Sequence, residues 1–254
     1  MSIKVIYRIS DGGQTDPQGN KQQKGRPHYF NKRKLLVDCI NEFGIENFLI
    51  VADNTTDETF SFIKELFTLR GLNADSLIFN TNFKSGALSF LYAVELAIST
   101  YKNTEQIVYL VEDDYVHKSG CNKVIEDAFN INVVNYVTAY DHPDKYINPQ
   151  NGGNPYVQNN SEFTNVFLGK YSHYKRTNST TMTFACKIKT LKEHFDIYHK
   201  YCHTGYPHDF EMFIELYKNK NICLVSSIPA YSTHCETAVL APLIDWEINS
   251  LNNI

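Results

Sequence analysis

Short apolar runs alternate with amphipathic stretches through the first half of this 254-residue chain. The apolar runs have the length and composition of strands, and they span residues 3–9, 47–53, 76–79 and 107–111. The stretches between them have helical periodicity and span residues 30–43, 57–71 and 85–100. Strict alternation of strand and helix predicts βαβ units, which form a mainly parallel sheet flanked by helices. Ligands of such sheets bind beyond the carboxyl ends of the strands.

The second half of the sequence is less regular. Its pattern predicts strands at residues 136–140, 165–169 and 180–188 and helices at residues 189–201 and 207–220. Two polar segments, residues 10–28 and 141–160, are predicted to be functional loops, with surface insertions as the alternative. We expect a single domain over residues 1–254.

Charge and composition restrict the class of protein. The net charge of −4 and the pI of about 6.1 give no footprint for sequence-independent nucleic-acid binding, so no nucleic-acid partner is expected. No run of about 18 apolar residues is present, and the first residues do not have the pattern of a signal peptide. These features predict a cytoplasmic protein without a membrane span. The six cysteines include no CxxC pair, which favours reduced thiols.

Three adjacent carboxylates, Glu112, Asp113 and Asp114, directly follow the fourth predicted strand. Three like charges at the end of a buried strand repel one another and need compensation. A hard divalent cation, Mn²⁺ or Mg²⁺, supplies it, because such ions prefer oxygen ligands and keep positions open for substrate phosphates. The alternative is an acidic turn that caps the next helix, but a cap needs only one carboxylate.

The acidic triplet and the stretch IVADNTTDET at residues 50–59 resemble motifs of a known family. An apolar strand that ends in Glu-Asp-Asp is similar to the DxD-type motif of glycosyltransferases with the GT-A fold, and residues 50–59 are similar to a stretch of family 2 transferases. The resemblance implies a GT-A fold, which is Rossmann-like with a mixed, mainly parallel sheet. Within the single domain it implies a nucleotide-binding half at residues 1–118 and an acceptor-binding, catalytic half at residues 119–254. It also implies that Asp114 ligates the metal, that Glu112 and Asp113 contact the sugar, the ribose or a metal-bound water, and that Asp53 accepts a hydrogen bond from the nucleobase.

The resemblance implies further residues of the donor site. Arg8 and Ser10 would lie against the nucleotide, and Lys84 would reach a phosphate or the base. His234, in a late loop, would be a second ligand of the metal. A solvated surface cation is the alternative for Arg8 and for Lys84. The implied donor is a UDP- or GDP-sugar, and the implied acceptor is a carbohydrate or glycoconjugate.

The resemblance also implies a catalytic base, since an inverting transferase must deprotonate the acceptor hydroxyl. Within GYPHDFEMF, Asp209 has the position of the family's base, although His208 stands where the family has Glu. Glu211 is the substitute candidate, and a helix-capping role for Asp209 is the alternative. The expected activity is therefore metal-dependent glycosyl transfer with inversion.

Two other functions stay open. A sugar-nucleotide pyrophosphorylase shares the βαβ nucleotide-binding half, and such enzymes carry a Gly-rich loop, then Arg and a later Pro-Lys, after the first strand. Residues 11–27 contain glycines and cations in a different order. A non-catalytic nucleotide- or carbohydrate-binding module is the third possibility, and the His208 departure favours it.

Overall fold

The computed structural model describes residues 2–12 and 25–251. Most of the first predicted functional loop, residues 13–24, lies outside the described residues. The fold is α/β, with a mixed, largely parallel central sheet flanked by helices, as predicted. No helix within the described ranges is long and apolar enough to cross a membrane. All six cysteines are buried free thiols.

The described residues form thirteen strands, numbered here in chain order: β1 (Lys4–Ile9), β2 (Phe48–Asp53), β3 (Ile78–Thr81), β4 (Ile107–Glu112), β5 (Tyr115–His117), β6 (Tyr136–Thr138), β7 (Val157–Gln158), β8 (Ser161–Glu162), β9 (Val166–Leu168), β10 (His173–Thr177), β11 (Phe184–Lys187), β12 (Leu224–Ile228) and β13 (Ser232–His234). They also form nine α-helices: α1 (Lys32–Phe43), α2 (Asp57–Thr68), α3 (Ala74–Leu77), α4 (Gly86–Thr100), α5 (Cys121–Ala128), α6 (Ile188–Glu193), α7 (Phe195–Cys202), α8 (Asp209–Lys220) and α9 (Trp246–Leu251). Four short 3₁₀ helices lie at Ile45–Asn47, Pro143–Tyr146, Pro149–Asn151 and Thr237–Val239.

Nine of these strands form the central sheet, in the order β3-β2-β1-β4-β11-β6-β12-β10-β9. The first four strands are parallel to one another, and β11 then pairs antiparallel with β4 and with β6. β12 is parallel to β6, and β10 and β9 run antiparallel at the end of the sheet. The chain order reverses between β1 and β4, so their carboxyl ends flank a topological switch point, where α/β sheets bind ligands.

Both faces of the sheet are buried, which explains why β1, β2 and β4 are almost continuously apolar. Helices α1, α2 and α5 cover one face through residues such as Leu36, Ile63 and Ile125. Helices α4, α6, α7 and α8 cover the other face through residues such as Phe90 and Phe213. The loops between strands and helices are therefore held at defined positions along the sheet edge.

The second half departs from the predicted elements at several places. The predicted strand 180–188 begins only at Phe184, because the preceding Thr-rich residues make side-chain hydrogen bonds along the sheet edge. The predicted helix 189–201 is interrupted at His194, whose backbone leaves the helical region and whose Nδ1 lies 2.6 Å from the hydroxyl of Tyr136. The sequence analysis also missed α5.

Candidate functional site

The carboxyl ends of β1, β2 and β4 carry polar side chains at the switch-point edge of the sheet. Arg8 is the penultimate residue of β1, Asp53 ends β2 and Glu112 ends β4. Arg8 and Glu112 are direct partners in the β1–β4 register. The triplet therefore lies beside the first strand, as the topology predicts.

Glu112 is compensated by Arg8. The Arg8 Nη2 atom lies 3.3 Å from Glu112 Oε1, and Nη1 donates to the Gly86 carbonyl at 2.8 Å. Arg8 is 6 % exposed, so it is not the solvated surface cation considered above. The Thr183 hydroxyl donates to Glu112 Oε2 at 3.1 Å and accepts from the Glu112 backbone N–H at 3.1 Å. These contacts fix the first carboxylate of the triplet.

Asp113 is compensated by Lys32, at the first position of α1. The Lys32 ammonium lies 2.8 Å from Asp113 Oδ2, and the backbone N–H of Ser10 donates to the same oxygen at 2.8 Å. Lys32 also donates to the carbonyl of Ser10. Burial raises the pKa of Asp113, with a further increase from adjacent Asp114, while Lys32 and the Ser10 amide oppose the shift. Ser10 thus contacts the triplet through its backbone, and its side chain accepts from the Gly12 N–H.

Asp114 is compensated by Arg26, which lies near the end of the first predicted functional loop. Arg26 Nη2 lies 2.8 Å from Asp114 Oδ2, and the same oxygen lies 2.9 Å from His234 Nε2. Strand β13 carries His234 opposite Tyr115 of β5, and the two rings stack at 5.5 Å. Each carboxylate of the triplet is therefore paired with one cationic side chain of the protein.

Asp114 and His234 are the two predicted metal ligands, and the structure brings them together. Their 2.9 Å separation suits two adjacent ligands of one octahedral ion at about 2.1 Å from each. Residues 2–12 and 25–251 contain no group of three or more His, Cys, Asp or Glu side chains placed to hold a metal. Mg²⁺ commonly takes one or two protein ligands and completes its shell with waters and substrate phosphates. The residues fit a metal of that kind, shared with a substrate.

Lys84 lies in the turn between β3 and α4, and Asp53, at the end of β2, contacts this turn. Asp53 is buried, and its Oδ1 accepts from the Phe83 N–H at 2.6 Å and from the Thr81 hydroxyl at 3.0 Å. One carboxylate oxygen of Asp53 therefore holds the turn. Lys84 is exposed, with a positive φ of 54°, directly before the capping residue Ser85.

Asp209 begins α8, on the sheet face that also carries Glu112. Burial raises the pKa of Asp209 to about 7, and the charge of Glu112 contributes to the rise. Its side chain is partly buried and accepts from the Phe210 N–H at 2.8 Å. His208 occupies the N-cap position without a side-chain capping bond, and Glu211 is exposed. Asp209 is thus the acidic residue of this segment whose pKa depends on the charge of Glu112.

Sequence reasoning missed several residues of this edge. Arg26, Lys32 and Thr183 each contact one carboxylate of the triplet. Thr181 hydrogen-bonds the hydroxyl of Tyr115 at 2.5 Å. The only signal in the sequence was that three adjacent carboxylates need positive partners. This signal indicated a metal ion and did not identify which Lys or Arg side chains would pair with the triplet.

A second polar network extends the edge toward β10 and is almost fully buried. Lys175 lies 2.8 Å from Asp141 and 3.5 Å from Glu162. Although burial alone would lower it, the pKa of Lys175 is raised because Asp141 stabilises the ammonium form. Lys145 donates to Asn178 at 2.8 Å and to Ser179 at 2.6 Å. This network anchors the start of the segment 178–183, which ends at Thr183 beside Glu112.

A cavity of about 300 Å³ lies next to the triplet, at the end of β1. Apart from Ile9, its lining is polar or charged and consists of Asp11, Asn31, Lys32, Arg33, Glu58 and Thr59. The Asp11 carboxylate accepts from the N–H and hydroxyl of Thr56. Although desolvation alone would raise the pKa of Asp11, these hydrogen bonds lower it.

Comparison with known proteins gives a fold likeness. No family model matches the sequence, and neither does any curated protein. Among solved structures, the inositol-1-phosphate CTP transferase from T. maritima matches with a TM-score of 0.50 and 10% identity, covering 99% of this chain and 95% of that one. The 4-diphosphocytidyl-2C-methyl-D-erythritol synthase from Anaerococcus prevotii matches with a TM-score of 0.44 and 11% identity, covering 97% and 93%. A CMP:2-keto-3-deoxy-manno-octonic acid synthetase complexed with CTP matches with a TM-score of 0.45 and 9% identity, covering 89% of each chain.

The comparison corrects the expected activity. These structural neighbours are CTP-dependent nucleotidyltransferases and not glycosyltransferases. The prediction of a glycosyltransferase that uses a UDP- or GDP-sugar is therefore wrong. The pyrophosphorylase alternative, which is also a nucleotidyl transfer, agrees better with these matches. The predicted α/β architecture, with a mixed and largely parallel sheet flanked by helices, is confirmed and resembles that of the T. maritima structure.

Proposed function

We propose that this chain is a nucleotidyltransferase. It would join a nucleoside triphosphate to a phosphorylated sugar or polyol and release diphosphate. One observation carries the proposal: Arg8, Lys32 and Arg26 are interleaved with the acidic triplet at the carboxyl ends of β1 and β4. Cations suit the phosphates of a triphosphate, and carboxylates suit the metal that accompanies it.

The chemistry of this reaction suits the residues. A phosphate oxygen of the second substrate attacks the α-phosphorus, a new P–O bond forms, and the bond to the β-phosphate breaks as diphosphate leaves. The attacking phosphate is already ionised at neutral pH, so the reaction needs no base to create the nucleophile. Catalysis then depends on positioning and on positive charge around the phosphates. Arg8, Lys32 and Arg26 are the candidates to supply that charge from the chain.

Asp114 and His234 would hold Mg²⁺, or Mn²⁺ in its place. When bound, the ion would neutralise negative charge on the phosphates of the substrate. Glu112 and Asp113 would keep Arg8 and Lys32 in place through the ion pairs described above. This division leaves Asp114 as the carboxylate whose loss affects metal binding most directly.

The remaining predicted residues would bind the substrates. Asp53 would accept a hydrogen bond from the base, and a carboxylate pairs well with the amino group of cytosine. Cytosine as the base also agrees with the CTP named for the T. maritima enzyme. Lys84 would contact a phosphate, and Asp209 would hydrogen-bond a hydroxyl of the second substrate in place of the base role first expected. Residues 1–118 would form the nucleotide half, and residues 119–254 would form the half for the second substrate.

The test is diphosphate release. The protein is incubated with Mg²⁺, each of the four nucleoside triphosphates and a panel of sugar and polyol phosphates, and diphosphate is measured with a coupled assay. We expect release with CTP and at least one phosphorylated polyol. Asp114→Asn should reduce the rate by at least about a hundredfold. The exposed Asp75→Asn, which removes the same charge far from the triplet, should leave the rate unchanged.

Two results would contradict the proposal. One is the absence of diphosphate release with every triphosphate and phosphate acceptor, even though calorimetry detects nucleotide binding; this would favour a non-catalytic module. The other is full activity of Asp114→Asn at the same Mg²⁺ concentration.

A further inference from the structure

We infer that Arg26 and the divalent cation compete for Asp114, so that Arg26 makes metal binding depend on a bound polyphosphate. This inference deepens the proposed function and rests on it in assigning the metal to Asp114. It follows from the position of one guanidinium group, which sequence reasoning did not single out.

Three contacts hold Arg26 against the triplet. Nη2 lies 2.8 Å from Asp114 Oδ2, and Nη1 donates to the carbonyl of Cys235 at 2.7 Å. The guanidinium plane also lies over the ring of Phe30, with 4.5 Å from its central carbon to the ring centroid. The Asp114 oxygen that meets Arg26 is also the one that meets His234. Arg26 is therefore directed at the oxygen that a metal on this pair would use.

A metal ion on that oxygen would lie within a few ångströms of the guanidinium. The Arg side chain stays protonated at every relevant pH, so it cannot relieve the repulsion by losing a proton. Asp114 is 6 % exposed, and water screens charges less effectively at a buried site. A divalent ion that binds alone must therefore either displace Arg26 from Asp114 or bind close to its positive charge. Both outcomes weaken the binding of the metal.

A polyphosphate removes this conflict. Its oxygens offer the guanidinium a second acceptor, which Arg binds in a bidentate manner, and they also complete the shell of the metal. Metal and polyphosphate then increase each other's affinity, because the polyphosphate draws Arg26 away from Asp114 and the metal compensates the carboxylate that Arg26 leaves. The site would therefore bind a divalent ion tightly together with the nucleotide, and it would bind a free divalent ion only weakly.

The experiment measures Mn²⁺ binding to the full chain without nucleotide, by electron paramagnetic resonance of the free ion. Arg26→Gln should bind Mn²⁺ on the order of ten- to a hundredfold more tightly than wild type. Asp114→Asn added to Arg26→Gln should remove that gain. Arg70→Gln is the matched control, because it removes the same charge from an exposed position. Arg70 donates to the carbonyl of Leu66, far from the triplet. It should bind Mn²⁺ as wild type does.

Arg26→Met is the second variant, in case glutamine disturbs the fold. Methionine keeps an aliphatic stem against Phe30 and removes the charge, so it should show the same gain. Unchanged or weaker Mn²⁺ binding in both variants, with native circular dichroism spectra, would overturn the inference. A gain that persists when Asp114 is also replaced by Asn would overturn it as well, since the ion would then bind elsewhere. These readouts do not use turnover, so they are independent of whether diphosphate is released.

Discussion

Replacing Lys175 by Met is expected to destabilise the fold strongly. The ammonium lies 2.8 Å from Asp141 and 3.5 Å from Glu162, and it donates to the hydroxyl of Tyr146 at 3.1 Å. The side chains of Lys175 and Asp141 are only 3% and 5% exposed. Removing one member of a buried pair leaves the other charge uncompensated, which costs about 3–5 kcal/mol. For a chain of this size, that loss corresponds to a fall in Tm of roughly 6–20 °C.

Urea denaturation at neutral pH measures this loss, and two further variants define its origin. Lys189→Met removes a lysine whose partner is Glu105 on the exposed surface, so its unfolding free energy should change little. Lys175→Met combined with Asp141→Leu should recover much of the stability, because no unpaired carboxylate remains at Asp141. A loss below about 1 kcal/mol for Lys175→Met alone would refute the argument that this variant leaves Asp141 as an uncompensated buried charge.

Three other variants test individual contacts. Thr183→Val should lose about 1–3 kcal/mol of unfolding free energy, because the N–H and carboxylate of Glu112 both lose a partner, whereas Thr183→Ser should retain it; urea titration distinguishes them. Asp53→Asn keeps the oxygen that accepts from Phe83, so the fold should persist while the calorimetric Kd for CTP rises about tenfold. The pKa of Asp209 is raised from 3.8 to about 7, so its stabilising contribution is present below pH 3.8 and is lost as the pH rises through 7. The urea midpoint of wild type should therefore fall more than that of Asp209→Asn between pH 5 and pH 8, and parallel pH profiles would contradict this assignment.

The parallel half of the fold could be predicted from sequence because local pattern and tertiary position agree there. Strands β1, β2 and β4 are buried on both faces, so each appears as a continuous apolar run. Helices α1, α2 and α4 have Asn, Thr or Ser at their N-caps, and each cap accepts a backbone N–H. The order of these elements then determined which residues meet at one sheet edge.

The antiparallel half was predicted less well because side-chain contacts override local propensity. Thr180, Thr181 and Thr183 suggest a strand by composition, yet their hydroxyls bond Thr138, Tyr115 and Glu112 from an irregular segment. Such hydrogen bonds compete with a regular ladder and cannot be inferred from periodicity.

The activity was mispredicted for a related reason. The acidic triplet implies a compensating charge, and a resemblance to glycosyltransferase motifs supplied a metal and a donor sugar. Motifs of this kind lie in the parallel half of the fold, and one fold can serve different reactions, so they determine the fold better than the reaction. Nothing in the spacing of Arg26 or Lys32 along the chain shows that they meet Asp114 and Asp113.

If the proposed function holds, the balance of charge at the sheet edge favours joint binding of the metal and the nucleotide. Within the described residues, three carboxylates of the triplet face three cations, so their formal charges cancel. A divalent ion that binds alone adds two positive charges to a poorly screened site, and a triphosphate that binds alone adds roughly four negative charges. Together they add only about two negative charges, which is half the charge of the isolated polyanion, and the phosphates also offer Arg26 an acceptor that the ion alone does not. An edge with carboxylates alone would bind free metal, and an edge with cations alone would bind any polyanion. The interleaved arrangement favours their complex over both.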